Sequence, residues 1–171
     1  MKTKIAVAGF VLSLAATWAW KTYMEQSVAP LTTREIVLFE LARTPEQAAE
    51  WLAQWEESGM LLLAERSLYL DFVFLLIYPW PFFFACRALA ATELGRDPWA
   101  VRFSYLALAA AGFDALENLC LLQVLRSTPE AVVTHLAAAF AVIKFVSLAA
   151  VLFFVVARLL SRGFRWVTSQ S

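Results

Sequence analysis

Apolar residues are gathered into four long runs, at about 5–23, 67–87, 100–125 and 131–158, separated by charged or turn-forming stretches. Each of the last three holds the ~20 residues that a helix needs to cross a hydrocarbon core, and each stops at an arginine: Arg87, Arg126 or Arg158. The first run follows Lys2 and Lys4 and ends in Trp18, Trp20 and Tyr23, residues suited to the membrane interface. Its apolar centre is short, so a cleaved signal peptide is the alternative. However, the small-residue site Ser27-Val28-Ala29 lies beyond the run and directly before Pro30, which favours an uncleaved first span. The pattern predicts an all-α membrane protein, a single domain over 1–171 built as a four-transmembrane-helix bundle. Short connections at Gly95, Asp97-Pro98 and Ser127-Thr128-Pro129 make successive spans antiparallel neighbours.

Between the first two runs, about 32–58, the pattern changes. Thr32 with Glu35 and Thr44 with Gln47 each have capping-box spacing, the second with Pro45 at the first helical position, so two short helices are expected. In the second, Ala48, Trp51, Leu52 and Trp55 form one stripe with the glutamates mostly elsewhere, and Ser58-Gly59 ends it. Such a Trp-rich stripe suits an amphipathic helix resting on lipid headgroups; a lid over an opening of the bundle is the sharper alternative.

Composition agrees: 61% of the residues are hydrophobic and 16% charged, against roughly 25% charged in soluble domains. Net charge is zero, with no basic surface for nucleic acid. Cys86 and Cys120 fall at depths about 20 Å apart, beyond disulfide reach. With the N-terminus inside, Lys2, Lys4, Arg87, Arg96, Arg102, Arg158, Arg162 and Arg165 are cytoplasmic, against Lys21, Arg34, Arg43, Arg66 and Arg126 outside. The positive-inside rule therefore puts both termini in the cytoplasm and the 32–58 segment outside.

The residues that break the pattern are the informative ones. Asp71 lies in the second span, Asp114 and Glu117 in the third and Lys144 in the fourth, each at an insertion cost of about 2.5–3.5 kcal/mol near a helix centre. Asp114, Glu117 and Asn118 share one helical face by their i, i+3, i+4 spacing. Counted along antiparallel helices, Asp114 and Lys144 lie at matching depths, so Lys144 is expected to be the counter-ion of Asp114, Glu117 or both, with Ser147 on its face. Asp71 and Tyr78 share a face of the second span. Pro79 and Pro81 should kink that span and free backbone carbonyls towards Asp114 or a water. Phe72, Phe74, Trp80, Phe82, Phe83 and Phe84 crowd the same stretch, lining a pocket or facing lipid.

Two readings of this cluster stand. It is a polar clamp that registers the third and fourth spans, or a site that handles a ligand, substrate or protons; a second carboxylate facing one lysine exceeds what a clamp requires. Candidate ligand-binding residues are Asp71, Tyr78, Asp114, Glu117, Asn118 and Lys144, with Glu117, Asp114 and Lys144 the candidates for acid/base chemistry. Arg87 reads as a boundary residue and His135 as an interfacial one. No cofactor or metal is expected: E-x-x-H and H-x-x-x-H pairs, Walker A and dinucleotide motifs are missing from the sequence.

The pattern Asp71-Phe72-x-Phe74 with Tyr78, then Asp114-x-x-Glu117-Asn118, then Lys144, resembles a family of small bacterial four-span membrane proteins of uncharacterised activity. The resemblance covers most of the chain after about Thr44 and implies the bacterial cytoplasmic membrane. A looser likeness is to the four-helix fold of sterol isomerases and sigma-2-type receptors, which also place acids and aromatics in an intramembrane pocket. The functional expectation is a polar pocket, open to the outside, that binds a small amphiphile or lipid or relays protons. The alternatives are an enzyme acting on a lipid or isoprenoid-like substrate, and a non-catalytic subunit that docks a membrane-protein partner through its external helices.

Overall fold

The computed structural model describes residues 3–92 and 95–168, without the side chains of 91–92, 95–96 and 163–168. Lys2 and the side chains of Arg96 and Arg165, counted above for orientation, lie outside the described residues. The chain runs α1 (Thr3–Val28), α2 (Thr33–Glu40), α3 (Pro45–Glu57), α4 (Leu61–Phe74), α5 (Pro79–Leu89), a two-residue antiparallel pair β1 (Ala91–Thr92) and β2 (Gly95–Arg96), α6 (Pro98–Arg126) and α7 (Ala131–Thr168). Four helical stretches are long and apolar enough to cross a membrane: Thr3–Val28, Leu61–Leu89, Pro98–Arg126 and Ala131–Arg162. The first extends past the expected 5–23 and the last past 131–158.

The helix ends follow from their side chains. Thr32 and Glu35 make the full capping box at α2. At α3 the Thr44 hydroxyl accepts from the Gln47 amide, but the Gln47 side chain reaches one residue further back, accepting from Arg43 N at 2.9 Å. Gly59, at φ 71°, turns the chain out of α3. Its N–H bonds to Glu56 O at 3.1 Å and that of Met60 to Trp55 O at 2.7 Å, the paired closure for which a left-handed glycine is suited. Asp97 caps α6 by accepting from Trp99 N, with Pro98 next, and also pairs with Arg158, tying the far end of α7 to this turn.

The second span breaks where its prolines require. Between Phe74 and Pro79 the backbone tightens into a turn, with Leu76 N donating to Val73 O and Ile77 N to Phe74 O. Carbonyls released by a proline kink were expected to face Asp114 or a water. At Leu76 the solution is local: the Trp80 indole donates to Leu76 O at 2.8 Å while the Trp80 amide turns to Ile77 O. One tryptophan thereby satisfies a carbonyl on the lipid-exposed side of the break.

Helix α6 is the most covered span, packed along α7 and against α4 and α5, while α1 lies outermost against α5 and α4. Close approach of α1 to α5 depends on Gly9, where a Cβ would stand 2.9 Å from the Phe84 ring. That ring is itself held by Trp80 and Phe83. The segment between α1 and α4 buries Trp55 and leaves Trp51 half-buried. Phe39 and Trp55 are 2% and 1% exposed, in edge-to-face contact at 4.9 Å, and join Leu68, Leu121 and Ala137 of the spans in one apolar cluster. This corrects the expectation of a helix resting on headgroups: α2 and α3 close one end of the bundle, since burying both rings against protein removes apolar area that headgroups would leave partly wet.

Gly9→Leu should part α1 from α5 and lower the thermal unfolding midpoint in detergent, at a cost of roughly 1–3 kcal/mol for overpacking. A variant as stable as the parent would contradict this contact.

Candidate functional site

The polar interior is built around one ammonium. Lys144 Nζ, on α7, stands 3.0 Å from Asp114 Oδ1 and 2.8 Å from Glu117 Oε2 of α6, so it serves both carboxylates predicted from depth. A third partner comes from outside the spans: Glu40 Oε2 at 3.1 Å, from the last residue of α2. Lysine, aspartate and both glutamates are all nearly enclosed, Glu117 completely.

Glu40 lies between the first two spans, where the pattern of charges interrupting spans does not point to it. It shares the buried face of α2 with Ile36 and Phe39, at i and i+3. A carboxylate there also sits at the negative end of its helix, where a cation is favoured. Those two features together were a usable signal for a buried partner. Burial pushes the Glu40 carboxyl above the ordinary glutamate range, Lys144 pulls it back, and the neighbouring Asp114 charge pushes the same way as burial.

Asp71 reaches the cluster through Asn118, whose Nδ2 donates to Asp71 Oδ2 at 2.6 Å. Tyr78, 5% exposed, lies among the carboxylates of Asp114, Asp71 and Glu117. The structure thus brings together Asp71, Tyr78, Asp114, Glu117, Asn118 and Lys144, and adds Glu40. Ser147 is buried one turn from Lys144. His135 lies away from the cluster, its ring nitrogen against Ala131 O of its own helix, and Arg87 lies over the Phe83 ring at the opposite end of the bundle.

The cluster is rich in acceptors. Four carboxyls, Glu40, Asp71, Asp114 and Glu117, face one lysine. Among the described residues, Glu117 Oε1 and Asn118 Oδ1 are buried with no hydrogen-bond partner, and the Tyr78 hydroxyl stands beside the Asp114 carboxylate without an aligned hydrogen bond. Glu117 Oε2 meets Lys144 as a close ion contact rather than an aligned hydrogen bond. No group of three His, Cys, Asp or Glu side chains is arranged to hold a metal among the described residues. The Lys144 ammonium stands at the point where the carboxylates meet.

One cavity leads to this cluster. It measures about 130 Å³ between α1, α2 and α4. Met24, Val28, Leu31, Ile36, Val37, Leu68 and Phe74 form its walls, Glu40, Ser67 and Asp71 its polar end, and Lys21, Glu25 and Thr33 the rest of its lining. There Lys21 pairs with Glu25, and the Thr33 hydroxyl donates to Glu25 Oε1 at 3.1 Å, linking α1 to the start of α2. Trp20 Nε1 donates to Leu70 O at 3.3 Å, fastening α1 to α4 behind the opening.

Lys144→Met strands several buried carboxylates at once and should cost roughly 3–5 kcal/mol. Glu117→Gln leaves Lys144 with Asp114 and Glu40 and should cost roughly 1–3 kcal/mol. Unfolding in detergent measures both, and a Lys144→Met variant as stable as Glu117→Gln would refute the central role given to the lysine.

Comparison with protein-family models, with curated proteins and with solved structures returned no match; what the site does is therefore argued from its own chemistry.

Proposed function

We propose that this chain is a multi-pass protein of the bacterial cytoplasmic membrane, of the small four-span kind its motifs resemble. Both termini lie in the cytoplasm and α2 and α3 on the outer side, and its function is to bind a small amphiphile or lipid. The observation that carries this reading is the cavity: its walls are aliphatic and aromatic, and its polar end is made by Asp71 and Glu40, two members of the buried acid cluster. That is the division of surface an amphiphile presents, and a concave apolar site with a few convergent polar groups is the usual form of a small-molecule site.

The division of labour within the cluster fits. Asp114 and Glu117 hold Lys144 and so register α6 against α7, which leaves Asp71 and Glu40 turned to the cavity. Binding is favoured over transmembrane proton relay by what lies beyond the cluster. Towards Arg158 the facing helices meet through Ala107 and Val151 and the stacked rings of Phe103 and Phe154, 4.4 Å apart. Ser104, buried in that stretch, donates to Val101 O of its own helix. The polar route opens to one side only among the described residues.

Val37→Trp, which fills the cavity from α2, should leave the protein monodisperse and remove a co-purifying amphiphile found by mass spectrometry with the parent protein. Retention of that molecule by the filled variant would refute the site. For orientation, a cysteine at Glu50 should react with an impermeant maleimide in intact cells, and one at Ser161 only after permeabilisation, both in a background lacking Cys86 and Cys120. The reverse pattern would invert the topology.

A further inference from the structure

We infer that the polar end of the bound amphiphile is a protonated primary amine. This rests on the amphiphile reading above and specifies its headgroup.

Charge comes first. Lys144 is already shared by Glu40, Asp114 and Glu117 within 3.1 Å, and Asp71, on the cavity side, accepts from the neutral Asn118 amide and from no other donor among the described residues. Four carboxyls against one ammonium leave the cluster short of positive charge in a largely desolvated place, so the surplus carboxyls must take up protons or meet a cation. A phosphate or carboxylate headgroup entering there would meet like charge with little screening. A cationic headgroup would meet the opposite.

Hydrogen bonding narrows the choice. The unpartnered acceptors Glu117 Oε1 and Asn118 Oδ1 belong to the same cluster but do not line the cavity, so the headgroup is met by Asp71 and Glu40. A carboxylate offers about four acceptor directions and an ammonium brings three N–H donors. At the cavity end, Asp71 and Glu40 retain acceptor capacity beyond the bonds they make to Asn118 and Lys144. A primary ammonium supplies charge and donors together, whereas trimethylammonium supplies charge alone and a hydroxyl one donor without charge. The apolar walls from Met24 to Phe74 then take the hydrocarbon that follows the nitrogen.

The test uses four probes with one alkyl tail carrying a diazirine, ending in a primary amine, trimethylammonium, hydroxyl or carboxylate. Each is photolysed with the full chain in phosphatidylcholine nanodiscs. Peptide mass spectrometry gives labelling at Val37 and Leu68 in the cavity relative to the outward-facing Leu152 and Phe153, 54% and 76% exposed, which corrects for partition into lipid. The amine probe is expected to exceed the hydroxyl probe in this ratio by about tenfold, as one charge-assisted hydrogen bond allows, with the carboxylate probe at the lipid background. Asp71→Asn, which keeps an acceptor for Asn118, should remove most of that preference.

Equal ratios for amine and hydroxyl would overturn the headgroup inference while leaving the amphiphile reading standing. Equal ratios for amine and trimethylammonium would overturn the choice of a primary amine. All four at the lipid background would overturn the amphiphile reading and this inference with it. Should Asp71→Asn fail to fold, the comparison of headgroups on the parent protein decides alone.

Discussion

A single buried ammonium sets the terms for this bundle. A lysine at the depth of Lys144 is tolerable only if its charge is met by carboxylates within hydrogen-bond reach, and those carboxylates come from two other helices. Asp114 and Glu117 fix the rotation and register of α6 against α7. Glu40 draws a short helix that is not itself a span into the end of the bundle. Apolar packing follows the same geometry: with Glu40 at Lys144, Phe39 on the neighbouring position of α2 meets Trp55 of α3 and the apolar cluster of the spans.

The second constraint is the divided span. A continuous helix through Pro79 and Pro81 would lack two backbone donors, so α4 and α5 are separate segments joined by a tight turn. The break lets α5 lie against α1 through the Gly9–Phe84 contact, while α4 turns Asp71 to Asn118. Tyr78, at the turn itself, is placed among the acids by the same break.

Clamp and binding site need not be rival explanations of the polar residues. A clamp is complete with Lys144 and one or two carboxylates; Asp71 and the cavity-facing side of Glu40 lie beyond what holding α6 to α7 requires. The surplus is of acids, and Asp71 and Glu40 bring it to the polar end of an apolar cavity. Holding Lys144 and facing the cavity thus divide within one cluster, with Glu40 doing both.

Run lengths and boundary arginines determine the four spans, because crossing hydrocarbon with a satisfied backbone leaves little besides a long apolar helix. The capping boxes mark the starts of α2 and α3, and helical spacing with equal depth pairs Lys144 with Asp114 and Glu117: these are local or one-dimensional properties, readable from order along the chain. The part of Glu40, the withdrawal of Trp55 and Phe39 into the core and the cavity between α1, α2 and α4 belong to the tertiary structure alone. Amphipathic spacing says which face of a short helix is apolar but not whether lipid or protein covers it. Only when the spans are assembled does a lysine 104 positions away along the chain become the cheapest neighbour for a carboxylate at the end of α2.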